Sequence, residues 1–236
     1  MKKLLFIASI PLVMLSSCMI GGVRGSGHVI TKQFNETGFK NIDVGSVMKV
    51  YLKQGDQYEV KVEAEDNLLD LMEVKTSGDK LKIGFKDNTS VNPTKDIVVY
   101  ITAPDFHNLE AGGAGGFVSQ GTIKTSELNV DVSGACKVKL DVDVNALKVE
   151  GSGSSDIILA GNTNSLEVDG SGSIDVKAFD LKSQHTTVGI SGSGKANVVA
   201  EQTLKVDVSG SGDVNYKGHP TITQDISGSG NIKAVN

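Results

Sequence analysis

The chain has 236 residues, of which 5% are aromatic and none is tryptophan, so an aromatic-rich core or a tryptophan-lined sugar cleft is not expected. Glycine is the outlier, with 28 residues against 4 prolines, where roughly 7% glycine is ordinary; this excludes collagen and proline-rich linkers and points to many tight bends in a β protein. Charged residues at 22% and hydrophobic ones at 39% exclude wholesale disorder.

Lys2 and Lys3 precede an apolar stretch, Leu4 to Leu15, broken only by Ser9 and Pro11. It is too short for a membrane span and fits the apolar region of a signal peptide. It ends in Leu15-Ser16-Ser17-Cys18, small residues before a cysteine as in a bacterial lipobox. Residues 1–17 are therefore expected to be a lipoprotein signal peptide and Cys18 the lipidated residue; the alternative is an ordinary secretory signal with an incidental cysteine. Two or three acyl chains would make the membrane a stable partner through the anchor. Without Lys2 and Lys3 there are 21 basic against 28 acidic residues, a charge of −7, which argues against nucleic acid or anionic lipid as a partner. Met19-Ile20-Gly21-Gly22 carries no acidic run of the kind that directs some lipoproteins to the surface. The expected location is the bacterial cell envelope, lipid-anchored at the outer membrane, with the periplasmic face favoured. Cys136 is left without a partner, so no disulfide framework is expected.

Residues 18–37 read as the lipidated cysteine, a linker and a first strand; residues 38–110 read as a strand-rich N-terminal portion. Val44, Met48, Val50 and Leu52 alternate, as do Tyr58, Val60 and Val62, then Leu81, Ile83 and Phe85, and finally Val98, Tyr100 and Thr102. Such alternation is the mark of half-buried strands. Asn67 to Val74 is the one candidate helical turn, and Asn88 to Lys95 reads as a loop.

Residues 111–236 repeat a small motif: Gly113-Ala-Gly115, Gly134-Ala-Cys136, Gly151-Ser-Gly153, Gly170-Ser-Gly172, Gly192-Ser-Gly194, Gly210-Ser-Gly212 and Gly228-Ser-Gly230, with first glycines 21, 17, 19, 22, 18 and 18 residues apart. Two residues before each unit stand Ala111, Val132, Val149, Val168, Ile190, Val208 and Ile226; two after stand Phe117, Val138, Ser155, Ile174, Ala196, Val214 and Ile232. A repeat of this length cannot bury an apolar face alone and must stack on its neighbours, which predicts a β-solenoid, or β-helix, of about seven coils. At about 4.8 Å per strand spacing such a column is on the order of 34 Å long. In Val206 to Tyr216 every second residue is apolar or glycine. Both glycines of a unit are therefore expected to face inwards in extended backbone, making room where opposite walls approach, and both serines outwards. The rival is that the glycines are positive-φ corners. Cys136 is expected inwards as a buried, inert thiol.

Little chemistry is legible. Repeated glycines without a following helix do not make a phosphate loop. Calcium is the better rival, because glycine-rich β-rolls bind it through a repeated Asp. The position three after each unit holds Val118, Lys139, Asp156, Asp175, Asn197, Asn215 and Lys233, and Glu150 and Asp169 stand just before the glycines. Asp156, Asp175, Glu150 and Asp169 are thus the calcium candidates, set against the plainer reading of a solvated acidic stripe; no metal or cofactor is expected. His28, His107, His185 and His219 are far apart. Paired carboxylates on a solenoid face suit a polysaccharide enzyme, but Arg24 is the only arginine and aromatic sugar platforms are scarce; no enzyme is expected.

Phe39-Lys-Asn-Ile42, Val50-Tyr-Leu-Lys-Gln-Gly55, Ala64-Glu-Asp-Asn67-Leu68, Leu81-Lys-Ile83, Tyr100-Ile-Thr-Ala-Pro104, Leu109-Glu-Ala-Gly-Gly-Ala-Gly115 and the Ser-Gly-Ser-Gly series occur in this order. Together they resemble the head-GIN domain family of auto-transporter adhesins, over about residues 38 to 236. The resemblance implies a lipid-anchored or secreted envelope protein, β-rich first and solenoid afterwards, with no catalytic or ligand residues to carry over. Ala135-Cys136 and Ala114 depart from the repeat without disturbing its need for small residues. The expectation is an all-β, non-enzymatic adhesin or binding module for a glycan or envelope protein, or alternatively a periplasmic structural or stress-related protein. The N-terminal strands should cover the first coil, and the last coil is a candidate surface for homo-oligomerisation.

Overall fold

The computed structural model describes residues 22–45 and 47–235; the signal segment 1–17 and Cys18 lie outside the described residues. The described residues are all-β apart from a single helical turn. Its elements are β1 (Val23–Arg24), β2 (Val29–Phe34), β3 (Asn41–Val44), β4 (Met48–Gln54), β5 (Glu59–Glu65), α1 (Asp66–Leu69), β6 (Met72–Ser77), β7 (Lys80–Phe85), β8 (Val91–Asn92) and β9 (Ile97–Ala103). Then follow β10 (Asn108–Gly113), β11 (Gly116–Gly134), the long, repeatedly bent β12 (Lys137–Val199), β13 (Thr203–Lys217), β14 (Thr221–Gly228) and β15 (Asn231–Ala234). All strands but the pair β1–β8 belong to one sheet, which forms a nearly closed, barrel-like wall.

The repeats pair with one another in parallel. Asn108 lies beside Asn129, Val130 beside Val149, Val188 beside Val206, and Val206 beside Gln224. Alternate residues enter the core, so Leu128, Val130 and Val132 are buried while their neighbours face out. Each buried valine or leucine stabilises the wall by about 1.5–3 kcal/mol. The N-terminal strands continue the same ladder: β3 and β4 pair in parallel with β10 and β11, and β7 and β9 with β3 and β4. They cover the first repeat as expected; antiparallel β6, β5 and β2 then finish that end.

Three local expectations are corrected. In β9 the inward residues are Ile97, Val99, Ile101 and Ala103, not Val98, Tyr100 and Thr102. Both faces of this strand are apolar enough to suit the core, and the outer face is occupied by Tyr100 stacked on Tyr51 at 5.4 Å between centroids. The helical turn ends at Leu69, and Met72 already begins β6. The loop Asn88 to Lys95 contains β8, which pairs with β1.

Two polar devices hold the N-terminal end. The Glu65 carboxylate is 1% exposed and accepts from the Gly27 amide (2.6 Å), the Thr94 amide (2.9 Å) and the Thr94 hydroxyl. These bonds, led by the Thr94 hydroxyl, hold its pKa below the usual carboxylate range. An asparagine ladder runs through the wall: Asn129 Nδ2 donates to Asn108 Oδ1 (2.9 Å), and Asn108 Nδ2 to Asn41 Oδ1 (2.6 Å).

Candidate functional site

Each repeat bends at one glycine. Gly113, Gly134, Gly153, Gly172, Gly192, Gly210 and Gly228 all have φ between 87° and 132°, a region that L side chains avoid. On each of the last six, a Cβ would lie 2.2–2.6 Å from the carbonyl oxygen of the preceding corner glycine. The expectation of extended, inward glycines at 192, 210 and 228 is therefore overturned: they are corners. The reason is steric as well as conformational, since successive corners stack so closely that only hydrogen fits between them.

The corner column also shifts two of the repeats. Corners are spaced 21, 19, 19, 20, 18 and 18 residues apart, because in Gly151-Ser-Gly153 and Gly170-Ser-Gly172 the second glycine is the corner and in the later units the first. Gly151 lies beside Val132, so Gly151 and Gly170 occupy the inward column of Ala111, Val132, Ile190, Val208 and Ile226. Ser155 and Ile174 then share the column of Cys136, Gly194 and Gly212, rather than that of Phe117 and Val138. The glycine of each Gly-Ser-Gly unit that is not the corner does make room, as expected, but on one arm of the bend only. Where Gly170 leaves space, Ile174 fills it; a Cβ on Gly170 would lie 2.0 Å from Ile174 Cδ1. Where Ile190 and Val208 fill that arm, Gly212 yields, its Cβ position lying 3.0 Å from Ile190 Cγ2 and 3.1 Å from Val208 Cγ1. Cys136 is buried and unpaired in this column, its Sγ 3.4 Å from the Ser133 carbonyl oxygen.

Two surface rows flank the corners. The serines on both sides of every corner from Gly153 to Gly228 are exposed, repeating once per rung. Three residues before the corners runs a column of carboxylates that sequence reasoning recognised only at Glu150 and Asp169. Glu110 lies beside Asp131, Asp131 beside Glu150, and Asp207 beside Asp225. Gly189 interrupts the column next to Asp207, and the Asp169 carboxylate leans across it, 2.5 Å from where a Gly189 Cβ would be. Asp131, Glu150, Asp169, Asp207 and the serines Ser152, Ser171 and Ser191 line an open groove of about 500 Å³. Partial desolvation, then Glu150 and Glu110, pushes the Asp131 pKa up; desolvation, then Glu167, does the same for Asp169. Lys148 reaches Glu150 at 2.8 Å and Glu167 at 3.1 Å, and both contacts raise its own pKa. Shifting the third and fourth repeats by two residues would have revealed the whole column.

The other two calcium candidates lie on the opposite side of the corner. Lys177 Nζ sits 2.7 Å from Asp156 Oδ1 and 2.9 Å from Asp175 Oδ2, and Lys137 lies 3.6 Å from Asp156. The Lys177 hydrogen bond holds the Asp156 pKa low. An ammonium thus occupies the place between the two carboxylates that a cation would take. Among the described residues no three His, Cys, Asp or Glu side chains converge as metal ligands. His107 pairs with Asp105 at 2.7 Å, His28 with Asp66 at 3.5 Å, and His185 with the Thr203 hydroxyl at 2.9 Å, so the histidines stay separate. A second open groove, of about 590 Å³, includes Val47, Lys49, Lys95, Ile97 and Lys137. Two of its lysines are otherwise engaged, Lys49 over the Tyr51 ring and Lys137 near Asp156.

A mostly parallel β wall, bent at a stacked glycine corner and lined outside by serine and carboxylate rows, defines a repetitive surface-presenting protein. The chain belongs to the head-GIN domain family: the model described as "Putative auto-transporter adhesin, head GIN domain" matches residues 38–220. Among solved structures it is similar to a putative adhesin from Bacteroides fragilis, with 24% identity and a TM-score of 0.86 over 91% of this chain and 100% of that one. A putative adhesin from Parabacteroides merdae shares 22% identity and a TM-score of 0.72 over 91% and 99% of the two chains. A putative lipid binding protein from Parabacteroides distasonis shares 24% identity and a TM-score of 0.74 over 91% and 99%. These likenesses establish the fold. No curated protein matches the chain. No helix among the described residues is long and apolar enough to cross a membrane.

Proposed function

We propose that this chain is a non-enzymatic envelope lipoprotein, anchored through Cys18, whose wall is a β-solenoid of about seven coils acting as an adhesion or binding module. The observation that carries the reading is the pair of serine rows beside the corner glycines, exposed and repeated at each of the five corners from Gly153 to Gly228. One hydroxyl binds weakly, but a row spaced by about 4.8 Å engages a repetitive glycan or protein surface at many points together. The parallel pairing of each repeat with the next, 18 to 21 residues along the chain, supports the coil count. Neutralisation of Asp156 and Asp175 by Lys177 speaks for a structural role of that pair rather than catalysis. The test is a glycan and protein array with the mature chain: binding lost when Ser171, Ser191 and Ser209 become bulky glutamates supports the module, and binding indifferent to them sinks it.

A second reading, a periplasmic interaction protein that uses the wall as a spacer, is favoured by Met19-Ile20-Gly21-Gly22, which lacks acidic residues. Protease treatment of intact cells separates the two, removing a surface adhesin and sparing a periplasmic protein.

A further inference from the structure

The last rung, β14 and β15, pairs on one side with β13 and on the other with nothing among the described residues. Its core-facing side chains are left uncovered. Leu204, Val208 and Val214 in the rung beneath are at most 1% exposed; above them Ile222 is 38% exposed, and Ile226 and Ile232 are only partly buried. Asp225 stacks on Asp207, a like charge. Open strand edges of this kind are templates for another strand.

We propose that this edge is the interface of a homodimer in which a second copy of the chain adds its own last rung antiparallel to the first, about a two-fold axis through Ser229, the bent residue that follows the corner glycine Gly228. Such an axis exchanges the two arms of the bend, and a symmetric contact must place every residue opposite its complement. Centred on Ser229, the register pairs Asp225 with Lys233 of the second copy, twice. It pairs Ile226 with Ile232, Ser227 with Asn231, and Gly228 with Gly230. Charge meets opposite charge, apolar meets apolar, and inward positions stay inward. Lys233 also supplies the cation that the stacked Asp207 and Asp225 lack. This interface takes up only the last pair of serines, Ser227 and Ser229, leaves those beside Gly153 to Gly210 free, and does not rest on the binding reading.

The experiment is sedimentation and light scattering over a concentration series, on the mature chain carrying Cys18→Ser to keep it free of lipid. The expected result is a concentration-dependent dimer. Asp225→Lys or Lys233→Asp alone replaces two attractions by two repulsions, weakening the dimer roughly tenfold or more. The double variant Asp225→Lys/Lys233→Asp restores it. Circular dichroism checks that each variant retains the wall, which is expected because both side chains are exposed. A wild-type chain that stays monomeric, single variants that dimerise as well as wild type, or a double variant that fails to recover would each overturn the proposal.

Discussion

Gly170 and Ile174 stand on the two arms of one corner, and the space that a Gly170 side chain would need is filled by Ile174 Cδ1, 2.0 Å from the Cβ position. Two rungs further on the roles are reversed, with Val208 on the first arm and Gly212 on the second. The corner interior thus holds a fixed volume, supplied from either side.

That exchange predicts a rescue. Gly170→Val should destabilise the chain by about 1–3 kcal/mol through overpacking. Adding Ile174→Gly, which reproduces the Val208–Gly212 arrangement, should recover most of the loss in thermal or urea unfolding. No recovery would mean that the two arms do not share this volume.

Gly172 behaves differently, because its φ of 99° and the Gly153 carbonyl oxygen, 2.5 Å from the Cβ position, both exclude a side chain. Gly172→Ala should cost about 1–3 kcal/mol from backbone strain alone, with the clash added. Ile174→Gly should not rescue it. A rescue as complete as that of Gly170→Val would show that packing alone limits this position.

The acidic column predicts a pH-dependent gain. The folded pKa values of Asp131 and Asp169 are raised, so the native state holds protons more tightly than the unfolded chain, and stability falls as pH rises through the window between the two. Asp131→Asn and Asp169→Asn should therefore raise the melting temperature at neutral pH. The gain should shrink in high salt and vanish below the carboxylate range. A gain that persists unchanged in acid would point to a cause other than charge.

Glu65 predicts the opposite sign. Its folded pKa is lowered, so its contribution is present above the unfolded carboxylate pKa and is lost as pH falls through the folded value. Glu65→Ala should leave the Gly27 and Thr94 amides without this acceptor. The protection of those amides, measured against the intrinsic exchange rate at each pH, should fall in the variant at neutral pH and should fall in the wild type as the pH drops through the folded value of Glu65. Unchanged protection in the variant would show that the carboxylate does not hold the segment.

Lys177→Met should let the Asp156 pKa rise towards its ordinary value, because the hydrogen bond that lowers it is removed. A carboxyl titration followed by NMR measures this directly. An unmoved Asp156 would assign the lowering to Lys137 instead.

Much of the architecture was legible before any coordinates. The strands around Val50, Val60 and Leu81, the stacking of glycine repeats and the burial of Cys136 all follow from alternation and recurrence, which are local properties of the chain. β9 is ambiguous in the sequence because Val98 and Tyr100 alternate as plausibly as Ile97, Val99 and Ile101; its pairing with β4, which sets Val99 beside Val50 and Tyr100 beside Tyr51, fixes which face turns out. The buried carboxylate of Glu65 left no trace in the pattern, since its partners Gly27 and Thr94 are remote in the chain.

The sequence by itself determined that this protein is a β wall with an inward apolar face and small residues at a recurrent point. Only the tertiary structure decided which glycine of each unit is the corner, and hence that Glu110, Asp131, Glu150, Asp169, Asp207 and Asp225 form one column. The physical reason is that side-chain alternation has a period of two residues. A two-residue shift of Gly151-Ser-Gly153 against its neighbours leaves every side chain on the same face, so alternation is blind to it. Backbone hydrogen bonds and the close stacking of successive corners are not.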